Sequence, residues 1–259
     1  MKILDCDNEH SMFESIREIT GIQKNDLVDL FNHFNLEEFY ESNSDFHLSS
    51  DKLFLVKLKE ISNRSSFHFD KTNWFHLTRT IRANQFEKGI LPLGESLDYL
   101  WDLLFSLQNG YLSLSEWNQF RYFLESTSYS DAFQYQLKYK DEFHWGPYAM
   151  LIRKVAFYPK EIGNHDYLNV PEIIDDICYP FNEKYGFDLL SRFKEATVPC
   201  IVKFETNNSD EQHMGIVVNY LYHRHHNLEL SFHCNTTFDG MGKAIPRESI
   251  LGFEFIEIK

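Results

Sequence analysis

The stretch NWFHLTRTIRANQFEKGILPLGE, Asn73 to Glu95, decides how the chain is read. Trp74, Phe75 and Leu77 suit a strand, Ile81 to Lys88 suits a short helix, and Gly89 suits the left-handed cap that ends one. A strand, a helical turn and an apolar return place His76 and Thr78 at the mouth of a cleft. Whether that cleft does chemistry depends on the rest of the sequence.

To the N-terminal side, residues 9–42 read as helical. Phe13, Ile16, Ile19 and Ile22 recur at helical spacing, and Leu27, Leu30, Phe31 and Phe34 form a second stripe. The segment ESNSD, Glu41 to Asp45, is a loop and sets an expected boundary: a helical appendage over 1–45 and a main domain over 46–259. LFLVKLK, residues 53–59, suits either a strand or a helix.

To the C-terminal side, two helices are expected between Gly94 and Leu124, the second opened by Ser113 and Glu116 at capping-box spacing. DAFQYQLKY (131–139), WGPYAMLIRKVAF with Pro147 at its start, NVPEIIDDI with Pro171 and FDLLSRFKEA extend the helical middle. VPCIVKFE, HMGIVVNYLY, LELSFHC and LGFEFIEI then read as strands, with HRHHN as a hairpin turn. The expected class is α+β, with helices in the first two thirds and a mostly antiparallel sheet completed by the C-terminus.

Composition narrows the function classes. The 259 residues are 43% hydrophobic and include 24 Phe, 14 Tyr and 4 Trp, enough for a sizeable core. No apolar run reaches the roughly 18 residues of a membrane span, and MKILDCDNEH does not read as a secretory signal. Cys6, Cys178, Cys200 and Cys234 are widely spaced and form no CxxC pair, which points to a reduced, cytoplasmic setting. A formal net charge of −14 disfavours free nucleic acid and fits a protein partner or acceptor.

Motifs narrow them further. The sequence holds no GxSxG, no GxGxxG and no GxxxxGK[ST], which argues against kinase, Rossmann and P-loop readings and leaves a Cys-His pairing in space open for nucleophilic catalysis. His223, His225, His226, His233 and Cys234 are potential metal ligands, but their spacing matches no zinc pattern and reads as a basic, hydrated hairpin tip.

FHLTRTIRANQFEKGILPL resembles the opening motif of the ADP-ribosyltransferase superfamily: a strand with His-x-Thr or His-x-Ser, then a short helix ending in Gly-Leu or Gly-Ile. The matching residues are His76, Thr78, Gly89 and Ile90, and the resemblance is confined to Phe75–Leu93. Leu77 stands where the family usually has glycine, so its side chain must point away from a ligand. The resemblance implies a split-sheet transferase-like fold and NAD as substrate. It implies His76 on a ribose hydroxyl, Thr78 as its orienter and Tyr148 against nicotinamide. For the late glutamate that steadies the cationic ribose it leaves Glu205, Glu229, Glu254 and Glu257, with Glu172 as a helical alternative; Glu205, at a strand end, is the choice made here. Arg79, with Arg82, Lys88, Arg153 and Lys154, is the candidate for the pyrophosphate. A chain of this kind looks like a bacterial toxin or defence effector, and some relatives of such enzymes have lost the glutamate or the activity.

The chemistry explains why such residues are wanted. Breaking the nicotinamide bond of NAD develops positive charge on the ribose, as in glycoside hydrolysis. The protein must hold the dinucleotide, stabilise that charge and position the acceptor. A rival reading from another class is a non-enzymatic acidic binding protein, such as an immunity or inhibitor protein, masking a basic partner. The two differ in whether His76, Tyr148 and one glutamate converge.

Overall fold

A computed structural model describes residues 1–43, 45, 47–126 and 132–257. It divides into two compact units, the first comprising Met1–Phe75, Met150–His165 and Lys203–Phe238 and the second His76–Ala149, Asp166–Val202 and Asp239–Lys259. The class is α+β, with ten α-helices among the described residues and an open sheet of six strands. The strands are β1 (Ile3–Leu4), β2 (Lys71–Thr80), β3 (Tyr148–Met150), β4 (Val198–Thr206), β5 (Thr237–Asp239) and β6 (Ile250–Phe255). Their order is β5-β3-β2-β4-β6; β3 runs antiparallel to β2, with Phe75 opposite Met150, and β1 joins the start of β2 in parallel.

The first unit holds α1 (Glu9–Thr20), α2 (Lys24–His33), α3 (Leu36–Ser42), α4 (Ser50–Ser62) and α10 (Gln212–His225). Asn8 caps α1 in a reciprocal box with Ser11, whose N–H donates to Asn8 Oδ1 at 3.0 Å. Met12, Ile16 and Ile19 of α1 and Leu27 and Phe31 of α2 are buried. The first 45 residues therefore contribute core to a unit that continues to Phe75 and takes in 150–165 and 203–238. Of the loop expected at 41–45, Glu41 and Ser42 still belong to α3 and Ser44 lies outside the described residues. LFLVKLK resolves as helix, within α4.

HMGIVVNYLY, expected as a strand, is helical and makes up most of α10. Every residue from His213 to Tyr222 is buried, so no face of this stretch meets water. A helix buried all round loses its 3.6-residue rhythm and reads like a buried strand. Gly215 lets α10 cross α4 closely: a Cβ there would stand 2.1 Å from the Asp51 carbonyl oxygen. The expected hairpin turn HRHHN is the end of this helix, and Phe232–Cys234 is one 3₁₀ turn instead of a strand.

The second unit holds α5 (Leu93–Leu107), α6 (Leu114–Ser126), α7 (Phe133–Lys140), α8 (Glu172–Tyr185) and α9 (Leu189–Ala196). Their shared core includes Trp101, Trp117, Phe120, Tyr135, Ile174, Phe181 and Phe193. The Ser113–Glu116 box is formed, with Ser113 N–H donating to Glu116 Oε2 at 2.8 Å and Glu116 N–H to Ser113 Oγ at 3.3 Å. Asp131, expected in the third helix, and Ile258, expected in the last strand, lie outside the described residues.

Two expected helices are not helices. Residues 81–89 form two separate turns, closed by Asn84 N–H to Ile81 O and Gly89 N–H to Phe86 O. Asn84 Oδ1 accepts from Phe86 N–H at 2.9 Å, and such an Asx turn outcompetes a helix. Gly89 does adopt φ +79°, and a Cβ there would stand 2.0 Å from the Ile245 carbonyl oxygen. In WGPYAMLIRKVAF the chain forms β3 and then a 3₁₀ segment, Arg153–Phe157. The N–H groups of Leu151 and Ile152 both donate to Asn235 Oδ1, at 3.1 and 3.2 Å, which ends the strand there.

Candidate functional site

The site is built on the second unit, where β2 delivers His76 and β3 delivers Tyr148. His76 Nδ1 lies 2.8 Å from the Tyr148 carbonyl oxygen. A carbonyl only accepts, so Nδ1 carries the proton and the neutral ring presents Nε2 as an acceptor. Burial lowers the His76 pKa, outweighing the opposite effect of the Tyr148 hydrogen bond, so the ring is held neutral. A neutral acceptor of this kind can take a hydrogen bond from a hydroxyl.

Tyr148 is half-buried and itself held in place. Its hydroxyl donates to the Phe143 carbonyl at 2.8 Å. The segment around it is fastened to 240–242: Gly240 N–H donates to Pro147 O at 3.0 Å and Gly242 N–H to Gly146 O at 2.7 Å. Trp145, just before, donates from Nε1 to the Lys138 carbonyl at 2.9 Å, and its own carbonyl accepts from Leu93 N–H at the start of α5.

Three carboxylates act on the Tyr148 phenol. Burial raises its pKa most, followed by Asp239, Glu172 and Asp141. Glu172 is the first residue of α8. Burial, then the nearby Glu172, raises the Tyr167 phenol well above the ordinary range. Lys138 of α7 reaches Glu172 at 3.3 Å and Asp176 at 2.7 Å. Among the five glutamates offered by the sequence, Glu172 is the one that acts on Tyr148.

The other expected residues are placed as follows. Thr78 Oγ1 contacts the Arg79 carbonyl at 3.4 Å, so the Tyr148 main chain, and not Thr78, orients His76. Arg79 donates to Thr197 Oγ1 and to the carbonyls of Leu168, Lys194 and Thr197, at 2.9 to 3.2 Å. Its guanidinium ties β2 to the α9–β4 corner and is occupied there. Glu205 belongs to the first unit and ion-pairs with Lys71, both half-buried. Glu229, Glu254 and Glu257 are exposed. Leu77 is buried. Arg82 lies over the Phe255 ring, while Arg153 pairs with Asp7 in the first unit.

The histidine cluster is structural. His223 meets the Glu229 carbonyl, His225 meets Asn32 Oδ1 and His226 meets the Phe31 carbonyl, fastening the end of α10 to α2 and to the following turn. Among the described residues no group of three or more His, Cys, Asp or Glu side chains is placed to hold a metal ion. The four cysteines are free and buried, and burial raises each thiol above its ordinary value. No helix among the described residues is long and apolar enough to cross a membrane.

A cavity of about 540 Å³ lies on α7, α8 and α9, lined in part by Asp175, Asp176, Cys178, Tyr179 and Asp188. It does not include His76, Tyr148 or Glu172. Tyr167 and Lys138 were not singled out from the sequence: Tyr167 sits in an irregular segment and Lys138 on another helix, so no spacing ties either to Glu172. Comparison with family models, with curated proteins and with solved structures finds no significant match.

Proposed function

We propose that the chain is an ADP-ribosyltransferase-like enzyme that binds NAD through the second unit. His76 accepts a ribose hydroxyl at Nε2, Tyr148 lies against the nicotinamide, and Glu172 faces the developing cationic ribose. Glu172 takes the role first given to Glu205, whose charge is already matched by Lys71. The observation that carries this reading is the 2.8 Å contact between His76 Nδ1 and the Tyr148 carbonyl, which fixes the acceptor nitrogen. The enzyme's contribution is orientation and electrostatics: a fixed acceptor for the sugar and an anionic group near the bond that breaks. In this reading the acceptor of ADP-ribose is a protein, and the role is that of a toxin or defence effector.

Calorimetric titration with NAD, with nicotinamide release followed in parallel, tests the proposal. His76→Ala is expected to weaken binding or turnover about tenfold to a hundredfold while leaving the melting transition in place. Wild-type protein that neither binds nor cleaves millimolar NAD rejects it. One observation favours the rival reading of an acidic binding protein: Phe143 and Met241 are 73% and 60% exposed, on the two segments that hydrogen-bond around Gly146. Loss of a pulled-down basic protein on Phe143→Ala, with no NAD binding by wild type, would favour it.

A further inference from the structure

The cavity of about 540 Å³ on α7, α8 and α9 falls within the size range of small-molecule sites, and the function proposed above makes no use of it. Helical spacing builds its main wall: Asp175, Cys178, Tyr179 and Asn182 fall on one face of α8. Asp176 and Pro180, four residues apart, form the row beside them. Pro180 has no N–H to give to the Asp176 carbonyl, so the wall adds a main-chain acceptor released from its ordinary helical partner. Asp188, at the start of α9, brings a third carboxylate from a different element. Its two oxygens accept Ser191 N–H at 3.0 Å and the Ser191 hydroxyl at 2.6 Å, which favours the ionised form and still leaves each oxygen able to accept again. Among the described residues the lining includes no Lys, Arg or His.

We infer that this cavity binds a small organic cation with ammonium groups on an aliphatic chain, of the polyamine class. The inference does not rest on the transferase reading. The molecule already seats one ammonium on this wall: Lys138 Nζ lies 2.7 Å from Asp176 and 3.3 Å from Glu172, at the side of the cavity. A ligand ammonium reaching Asp176 therefore competes with Lys138, which has Glu172 as its other partner. Carboxylates on both α8 and α9 suit a ligand that carries more than one charge along its length. The Pro180 ring and Leu190 give its methylene stem an apolar surface to lie on. Tyr179, 59% exposed, adds an aromatic ring of the kind that cations pack against. The cations that bear on the lining are few: Lys138 contacts Asp176, while Arg192 and Lys194 act on Asp188 less than Ser191 does. Two other uses of such a cavity fit less well. No group of three or more ligating side chains is placed for a metal ion among the described residues. The Cys178 thiol is pushed far up by burial and then by Asp175 and Asp188, so it offers no thiolate for covalent chemistry.

Calorimetric titration of the full chain with spermidine, at low ionic strength and without NAD, tests the site. Wild type is expected to bind. Asp176→Asn and Asp188→Asn are each expected to weaken binding about fivefold to tenfold. Asparagine caps a helix about as well as aspartate, so the second change removes charge while keeping the start of α9. Glu37→Gln, which removes an exposed carboxylate from α3, is the charge-matched control and is expected to leave binding unchanged. Lys138→Met takes away the competing ammonium and is expected to tighten binding about threefold, a change of sign that a loosened fold would not produce. A lysine tetrapeptide, titrated in the same way, separates the two sources of this chemistry. Weaker binding than spermidine assigns a free polyamine, and tighter binding assigns a lysine carried on another chain to the same ammonium site. Absence of binding by both probes at millimolar concentration overturns the inference. So does a loss in Glu37→Gln as large as in the two aspartate variants, since the cation would then be following the overall negative field and not this cavity. Should Asp188→Asn fail to fold, Asp176→Asn set against Glu37→Gln decides alone.

Discussion

On β2 two polar side chains, His76 and Arg79, are put to opposite uses. Strand residues two apart share a face, so Thr78 goes with His76 and Arg79 goes with Leu77. His76 is left with an acceptor nitrogen after its one contact to Tyr148, whereas Arg79 spends its guanidinium on one hydroxyl and three carbonyls. Those carbonyls belong to the α9–β4 corner and to Leu168, and removing the guanidinium leaves them short of donors. Arg79→Ala is therefore expected to destabilise the protein by about 3 kcal/mol, in line with orphaning several partly buried acceptors. Denaturant unfolding measures this. If Arg79 instead held a pyrophosphate, the variant would keep its stability and lose NAD affinity, which is the outcome that would refute the structural role.

At the scale of elements, the crossing of α4 and α10 depends on one position. A Cβ at Gly215 would meet the Asp51 carbonyl oxygen at 2.1 Å and Leu55 Cβ at 3.0 Å, and neither atom is the end of a flexible chain. Gly215→Ala gains helix propensity but must push two helices apart, so a net loss of about 3 kcal/mol or more is expected, read as a fall in the unfolding midpoint. A variant as stable as wild type would mean the helices shift at little cost. The same helix shows where sequence reading stops. Amphipathic α1, α2, α5 and α6 were legible because one face of each meets water, and the Ser113–Glu116 capping box was legible from its spacing; the Asn8–Ser11 box was not. The α10 segment was not, because burial on all sides erases periodicity. The 81–89 turns were not, because an Asx contact from Asn84 decided against a helix that apolar spacing allowed. In the site, His76 and Tyr148 were legible from residue type, and Glu172 only as one glutamate among five. What singled it out was a tyrosine and a lysine that no spacing connects to it.

Over the whole molecule, acid response follows from histidines that the fold holds neutral. His76, His213 and His223 all have lowered pKa values, each mainly through burial. The sign is the same for the three. Below the ordinary value near 6.5, the unfolded chain takes up protons that the folded chain refuses, so stability falls as pH falls from about 7 toward 5. The carboxylates whose values are lowered, Glu116, Asp188 and Glu211, work at more acid pH: their contribution is present above the ordinary carboxylate range and is lost only as pH drops through it. The two losses should therefore separate, with histidines responsible for the first. His213 is the residue on which to test this. It is buried edge-on against the Trp74 ring with centroids 5.2 Å apart, and its Nδ1 has no hydrogen-bond partner among the described residues. Protonation would add an N–H with nowhere to donate, leaving only the more distant charge of Asp210 in its favour. Thermal unfolding of wild type between pH 7.5 and pH 5 is expected to show a falling midpoint, and His213→Gln, which keeps the polar shape without the titration, is expected to flatten part of that fall. A midpoint constant across this range would mean that the three rings take up protons in the folded state as readily as in the unfolded one, and the neutral His76 on which the proposed sugar contact depends would go with it.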